Sequence, residues 1–319
     1  MASRLNRAIE LLEQDQAIYY MGPHSGHVLT REQGRIDAKT WADYINVGME
    51  HGSFDMAGLA EYLAGLIEGG PTNSGHRTPP VIVEAPVNGI DEEYIRYNAW
   101  QFRQILARGA HGILLCQVET AGAARAFVES CRYPQGLTGT DPSFASPFDR
   151  MTGATRGEPG MKDGRPLLGL GTRGRGSEDT ATAIWGISQA DYLEQCDPWP
   201  LNPKGELLLG VKLESPEGIA MADEILAVPG LGFAELGPGD LSFALGYKTR
   251  PPYPYPDQMQ AAREKVFAAC RKYGIAFLES APNPEALRLK LDEGVRAIAG
   301  HSEENAKAGR AHMKRTMPV

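Results

Sequence analysis

Eight short apolar runs, separated by segments with helical apolar spacing, constrain the fold of this 319-residue chain more than any other feature. The runs are AIYYMG (17–22), YINVGM (44–49), VIVEAP (81–86), GILLCQ (112–117), LLLGVKLE (207–214), GFAELG (232–237), GIAFLE (274–279) and VRAIAG (295–300). Runs of this length and composition, bounded by turn residues, read as buried strands. The intervening stretches, such as DMAGLAEYLAGLIEGG and MQAAREKVFAACRKYG, repeat their apolar residues at helical spacing and end in the glycine expected just past a helix. Strand and helix alternating eight times predicts an α/β fold, a (β/α)8 TIM barrel that fills 1–319 as a single domain. A doubly wound open sheet is the alternative; no GxGxxG opens the first βα turn, which favours the barrel.

One connection breaks the rhythm. Between the fourth and fifth strands, from about residue 132 to 206, the chain runs for some seventy residues rich in Gly, Pro, Ser and Thr. Long segments of this kind are functional or are surface insertions, and a functional one would project over the barrel mouth.

A hydrophobic content of 42% gives the chain a full-sized core, and a net charge of −8 argues against a nucleic-acid or membrane-surface partner, both of which need a basic patch. The partner expected is a small molecule. Cys116, Cys131, Cys196 and Cys270 are scattered, with no CxxC spacing, and read as reduced core thiols. The N-terminal segment lacks the pattern of a signal peptide, and no run is long enough to span a membrane, so a cytoplasmic location is expected.

In a barrel the groups that do chemistry sit at the C-terminal strand ends. Three ends carry them: VGMEHGSFD with Glu50 and His51, KLESPEG with Glu214, and ELGPGDLSFALGY with Asp240. Glu214 and Asp240 lie on adjacent strands, so their oxygens could converge on a hard divalent cation, Mg²⁺ or Mn²⁺, with Co²⁺ or Zn²⁺ as alternatives. The competing reading has Glu214 pairing with a cation and Asp240 capping the helix that starts near Leu241. His51 suits proton transfer near neutrality, or equally a structural hydrogen bond.

Taken together, MEHGSFD, GILLCQVETAGAARAFVESCRYP, VKLESPEG and ELGPGDLSFALGY resemble the HpcH/HpaI aldolase family, the metal-dependent hydroxy-oxo-acid aldolases, over about residues 40–315. The resemblance implies carbon–carbon lyase chemistry with pyruvate as the usual enolate half, a divalent metal on Glu214 and Asp240, and His51 in proton transfer. It also implies an extended C-terminal helix at 302–315, exchanged between subunits of a homo-oligomer, a hexamer built as a trimer of dimers. GTRGRG (171–176) looks like the family's arginine loop, which puts the inserted segment at about 135–170 and makes Arg173 and Arg175 either anion contacts over the site or solvated loop arginines.

Three positions depart from the family pattern. Glu84 stands where an arginine usually contacts the oxo acid, Lys212 where a glutamine is usual, and Gly48 where an aspartate orients the histidine; Asn46 or Asp55 are possible replacements. Parity turns Glu84 and Lys212 inward, so the two changes read as one exchange that moves a positive charge across the barrel. Lys212 has three readings: an ion pair with Glu84 or Glu214, a Schiff-base amine, or a direct contact to substrate. Trp185, Tyr192, Trp199, Tyr253 and Tyr255 are candidates for an aromatic pocket at the mouth, or for plain packing. With the usual arginine gone, the alternatives to a hydroxy-oxo-acid aldolase are an aldehyde-releasing lyase on a non-pyruvate, aromatic substrate and a non-catalytic metabolite-binding barrel.

Overall fold

In the computed structural model, residues 2–144, 159–299 and 302–319 are described; residues 145–158 of the inserted segment, and the last glycine of the eighth run, lie outside them. Eight parallel strands close on themselves: β1 (Ile18–Met21), β2 (Tyr44–Gly48), β3 (Val81–Asn88), β4 (Gly112–Cys116), β5 (Leu207–Leu213), β6 (Phe233–Leu236), β7 (Ala276–Ser280) and β8 (Ala297–Ala299). Each pairs with the next, and Ile18 opposite Ala297 joins β1 to β8. The ring of pairings is a (β/α)8 barrel, as the alternating runs predict.

Two apolar layers account for the strand composition. Ile18, Tyr20, Tyr44, Ile82, Leu114, Leu208, Phe233 and Leu278 fill the barrel interior, while a larger core lies between strands and surrounding helices. Both strand faces are covered, which is why the runs are nearly continuous rather than alternating. Gly210 is where the interior is tightest: a Cβ there would fall 2.3 Å from the Phe233 ring.

The N-terminal helix Arg7–Glu13 closes the bottom. Its Ala8, Ile9 and Leu11 join the interior layer, and its cap residue Asn6 donates to the carbonyls of His111 and Glu206, just ahead of β4 and β5. The C-terminal helix Glu303–His312 packs against the helix Pro284–Glu293 of its own chain, burying Ala306, and Arg310 and Arg315 grip the buried Asp43.

Local rules set the helix starts. Asp55, Asp91, Thr120, Ser215 and Asn283 each accept a backbone N–H with the side chain at a helix N-cap. Among the described residues no helix is long and apolar enough to cross a membrane.

The described parts of the connection between β4 and β5 follow the surface-insertion reading rather than projecting over the mouth. The helix Ala121–Cys131 descends from the end of β4 toward the start of β5, and the described parts of the connection pack around its lower end. Thr172 N–H donates to Glu129 O and Arg173 N–H to Arg132 O. The side chain of Arg165 reaches Ala227 O and the Tyr273 ring, at the lower ends of two other helices. These residues buttress the barrel wall near its N-terminal end.

Candidate active site

The upper layer of the barrel interior is polar. Glu84 on β3, Lys212 and Glu214 on and just after β5, and Glu235 on β6 all point inward, and all are buried. Lys212, Glu214 and Glu235 open into a cleft of about 580 Å³ whose lining includes His24, His51, Asp240, Phe243, Arg250 and Tyr255.

Lys212 is the hub. Its Nζ lies 2.8 Å from Glu50 Oε2 and 3.5 Å from Glu84 Oε1, so it bridges the ends of β2 and β3 from across the barrel. Burial alone would lower its pKa, but the surrounding acidic groups, Glu235, Glu84 and Glu214 among them, outweigh that and hold it well above the ordinary lysine value. An ammonium clamped between two carboxylates is a poor nucleophile.

Glu84 has two further partners that the sequence does not announce. His24, on the loop after β1, places Nδ1 2.5 Å from Glu84 Oε1, and Asn46 Nδ2 donates to the same oxygen at 3.1 Å. Burial resists ionisation of Glu84, yet His24 and Lys212 pull its pKa below the usual carboxylate range, while the bond to Glu84 raises that of His24. His24 Nε2 also meets Tyr20 Oη at 3.2 Å.

The same loop explains Gly48. A Cβ at that position would fall 2.1 Å from His24 O and 2.7 Å from its Cα. The backbone of the β1 loop occupies the space where a side chain at 48 would sit, so the glycine and the His24–Glu84 pair belong to one rearrangement. Neither suggested replacement orients His51: Asn46 is committed to Glu84, and Asp55 caps the helix Met56–Glu68 through Gly58 N–H.

Glu50 ties the remaining acids together. Ligand atoms of Glu50, His51 and Asp240 lie within 4.8 Å of one another, and so do those of Glu50, Cys116 and Glu214. His51 Nε2 is 3.7 Å from Glu50 Oε2 and 3.9 Å from Asp240 Oδ2, with half of its side chain exposed. Glu50 Oε1 is buried with no hydrogen-bond partner. Burial pushes the Cys116 thiol pKa well up.

Neither non-metal reading of the two predicted ligands describes what they do. Asp240 sits in the first turn of the helix Pro238–Ala244 and makes no cap bond; Gly237 holds the cap position. Glu214 forms no ion pair among the described residues; its Oε1 accepts Gln117 N–H at 2.9 Å, where Gln117 adopts a positive φ of 52°. Burial raises the Glu214 pKa to about 8, with nearby Lys212 opposing and Glu50 reinforcing the rise. Gly237 leaves room for that carboxylate, since a Cβ there would fall 1.9 Å from Glu214 Oε2.

Arg173 stands apart from this cluster. Its guanidinium stacks at 4.6 Å on Tyr133 and donates to Tyr192 Oη at 2.7 Å; Tyr192 is bonded in turn to Leu106 O, at the lower end of a wall helix. The arginine is buried structural cement below the mouth, and the loop carrying it does not cover the site. Trp185 stacks on His111 and Trp199 reaches Glu13 of the bottom helix, so of the five aromatic candidates Tyr255 is the one lining the cleft.

Five carboxylates, Glu50, Glu84, Glu214, Glu235 and Asp240, thus gather at the C-terminal end of a parallel barrel around one lysine and two histidines, the layout of a (β/α)8 enzyme whose chemistry handles cations or protons. Residues 82–301 match the HpcH/HpaI aldolase/citrate lyase family, and the chain belongs to it; it is an enzyme of the lyase class. A hydroxypyruvate/pyruvate aldolase of Pseudomonas aeruginosa is 28% identical over 241 residues, 76% of this chain and 67% of that protein. One from Roseobacter denitrificans is 24% identical over 81% of this chain and 76% of that protein. Among solved structures, an HpcH/HpaI aldolase/citrate lyase family protein from Burkholderia cenocepacia superposes with a TM-score of 0.63 at 20% identity, covering 96% of this chain and 97% of the other. Macrophomate synthase gives 0.58 at 18% identity, over 98% and 91%. These structural likenesses concern the fold.

Proposed function

We propose that this chain is a divalent-metal-dependent carbon–carbon lyase of the aldolase type, acting on a hydroxy-oxo acid, with the ion on Glu214 and Asp240 and His51 moving a proton. The observation that carries the reading is that Glu50 has a ligand atom within 4.8 Å of one from Asp240 and, in a second group, within 4.8 Å of one from Glu214, so that buried or half-buried oxygen donors flank it on both sides. Residues and group fit: hard oxygen ligands suit Mg²⁺ or Mn²⁺, and a buried Glu50 oxygen lacks any other partner. When bound, such an ion supplies Lewis-acid stabilisation to an oxygen that gains negative charge during cleavage.

The chain's own groups do the rest. Lys212 offsets part of the negative charge of Glu50 and Glu84, and His24 also faces Glu84, which lessens the repulsion of an anionic substrate. His51, exposed on the rim, takes the proton of the hydroxyl on the carbon that leaves as an aldehyde; the O–H electron pair forms the carbonyl, and the C–C pair passes to the oxo-acid half as its enolate, which takes up a proton and leaves as the oxo acid. The barrel floor beneath is closed by packed side chains, so substrate enters and leaves through the mouth.

Relatives named hydroxypyruvate/pyruvate aldolases make those two oxo acids the first donors to test. Aldol formation from either donor and a simple aldehyde should stop on chelation and return with Mg²⁺ or Mn²⁺. Full turnover in chelator would overturn the reading.

A further inference from the structure

The cations around the cleft differ in what answers their charge. Lys212 is held by Glu50 and Glu84, His24 by Glu84, and His51 lies beside Glu50 and Asp240. Arg250 differs from all three. It follows the helix Pro238–Ala244, and its Nη2 donates to two neutral hydroxyls, Tyr255 Oη at 3.0 Å and Ser280 Oγ at 3.5 Å. It makes no ion pair among the described residues. The acid on that wall, Glu279, is already taken by Arg263 at 2.8 Å and by Lys290.

Two hydroxyl contacts through one nitrogen hold the guanidinium against the wall and leave the other donors of its planar fork unused, an arrangement suited to a carboxylate. Phe243 lines the same cleft with 62% of its surface exposed, although an aromatic ring of that size gains by being covered. Glu214 and Glu235 line the cleft as well, and Asp240 stands one turn before Phe243 on the helix Pro238–Ala244, so negative charge gathers on the other side of that ring's helix turn. An anion finds uncompensated positive charge at Arg250, and an apolar body finds a surface at Phe243.

We propose that Arg250 and Phe243 form the subsite for the aldehyde half of the substrate, and that this half is an aromatic body carrying a carboxylate. The assignment rests on the lyase reading above, with the oxo-acid half beside Glu214 and Asp240. Arg250 is then a specificity-determining residue that selects the released aldehyde by its charge.

The test compares 4-carboxybenzaldehyde with benzaldehyde as acceptors for pyruvate and hydroxypyruvate on Mg²⁺-loaded protein. Wild type should prefer the carboxylated aldehyde in kcat/KM. Arg250→Gln should shrink that preference by about tenfold or more, through KM, as expected for loss of a charge-assisted contact. Arg250→Lys should restore part of it, since it keeps the charge without the fork. Phe243→Ala should weaken both aldehydes alike. An unchanged preference in Arg250→Gln, or no preference in wild type, would overturn the subsite. If no donor and aldehyde pair turns over, the lyase reading has failed, and the subsite is still decided by binding of 4-(hydroxymethyl)benzoate against benzyl alcohol in ligand-observed NMR. Arginine-dependent binding of the benzoate supports it, and equal binding of both alcohols overturns it.

Discussion

Lys212 Nζ and Glu50 Oε2 meet at 2.8 Å, with both side chains 5% exposed, so a buried ion pair ties β5 to the end of β2 directly beneath the cleft. The pair turns what looks in sequence like an odd lysine in a buried strand into the counter-charge for two acids. Its removal therefore has a structural cost as well as a catalytic one.

Lys212→Met should destabilise the protein by about 3–5 kcal/mol, because Glu50 and Glu84 are left buried without their partner. Urea denaturation at neutral pH checks this, and a shift below about 1 kcal/mol would mean the acids find other partners. The same pairing predicts that borohydride with pyruvate traps no adduct on Lys212 in intact-mass spectra.

Gly237→Ala should leave the fold intact, since Gly237 has φ −75°, a conformation open to alanine. Its new Cβ would displace the Glu214 carboxylate, so metal affinity should fall about 10- to 100-fold, the range for losing support of a ligand. Titration with Mn²⁺ measures it; wild-type affinity would show that Glu214 is not a ligand.

His51→Asn should lower kcat by about 10²–10⁴-fold, the usual weight of a proton-transfer group, with Mn²⁺ stoichiometry unchanged. Loss of Mn²⁺ together with activity would make His51 a ligand instead.

His111 sets a pH limit at the other end of the barrel. Fully buried, stacked on Trp185 and accepting Val81 N–H through Nδ1, it has a pKa lowered by burial to about 4. Below the unfolded value near 6.5 the unfolded chain binds a proton that the native state refuses, so stability is lost as pH falls from about 6.5 toward 4, by up to about 3 kcal/mol. Urea midpoints at pH 7 and 5 should differ by most of one histidine's share, and His111→Phe should flatten that slope. An equal slope in the variant would contradict it.

Much of this architecture is legible in sequence, and the reasons differ by residue. The eight strands are readable because strands covered on both faces are nearly all apolar, and every run from 17–22 to 295–300 coincides with a strand within a few residues. Glu214 and Asp240 are readable because strand ends in a barrel converge. Glu50 stands next to His51 in the same motif, and adjacency alone does not tell which of the two side chains turns inward. Inward parity on β6 was the signal available for Glu235. His24 carried no signal at all: it reaches Glu84 only because the β1 loop crosses Gly48, a contact sixty residues apart. Arg173 failed for a topological reason, because the helix Ala121–Cys131 carries the chain downward before the arginine loop begins.

The central claim is that Glu214 and Asp240 hold one divalent ion on which turnover depends. Mn²⁺ binding followed by electron paramagnetic resonance, on wild type, Glu214→Gln and Asp240→Asn, alongside aldol turnover of the same samples, tests it most directly. One ion per chain in wild type, with binding and turnover lost together in both variants, is the predicted result. Wild-type turnover in metal-free protein, or unchanged Mn²⁺ binding in both variants, would contradict it.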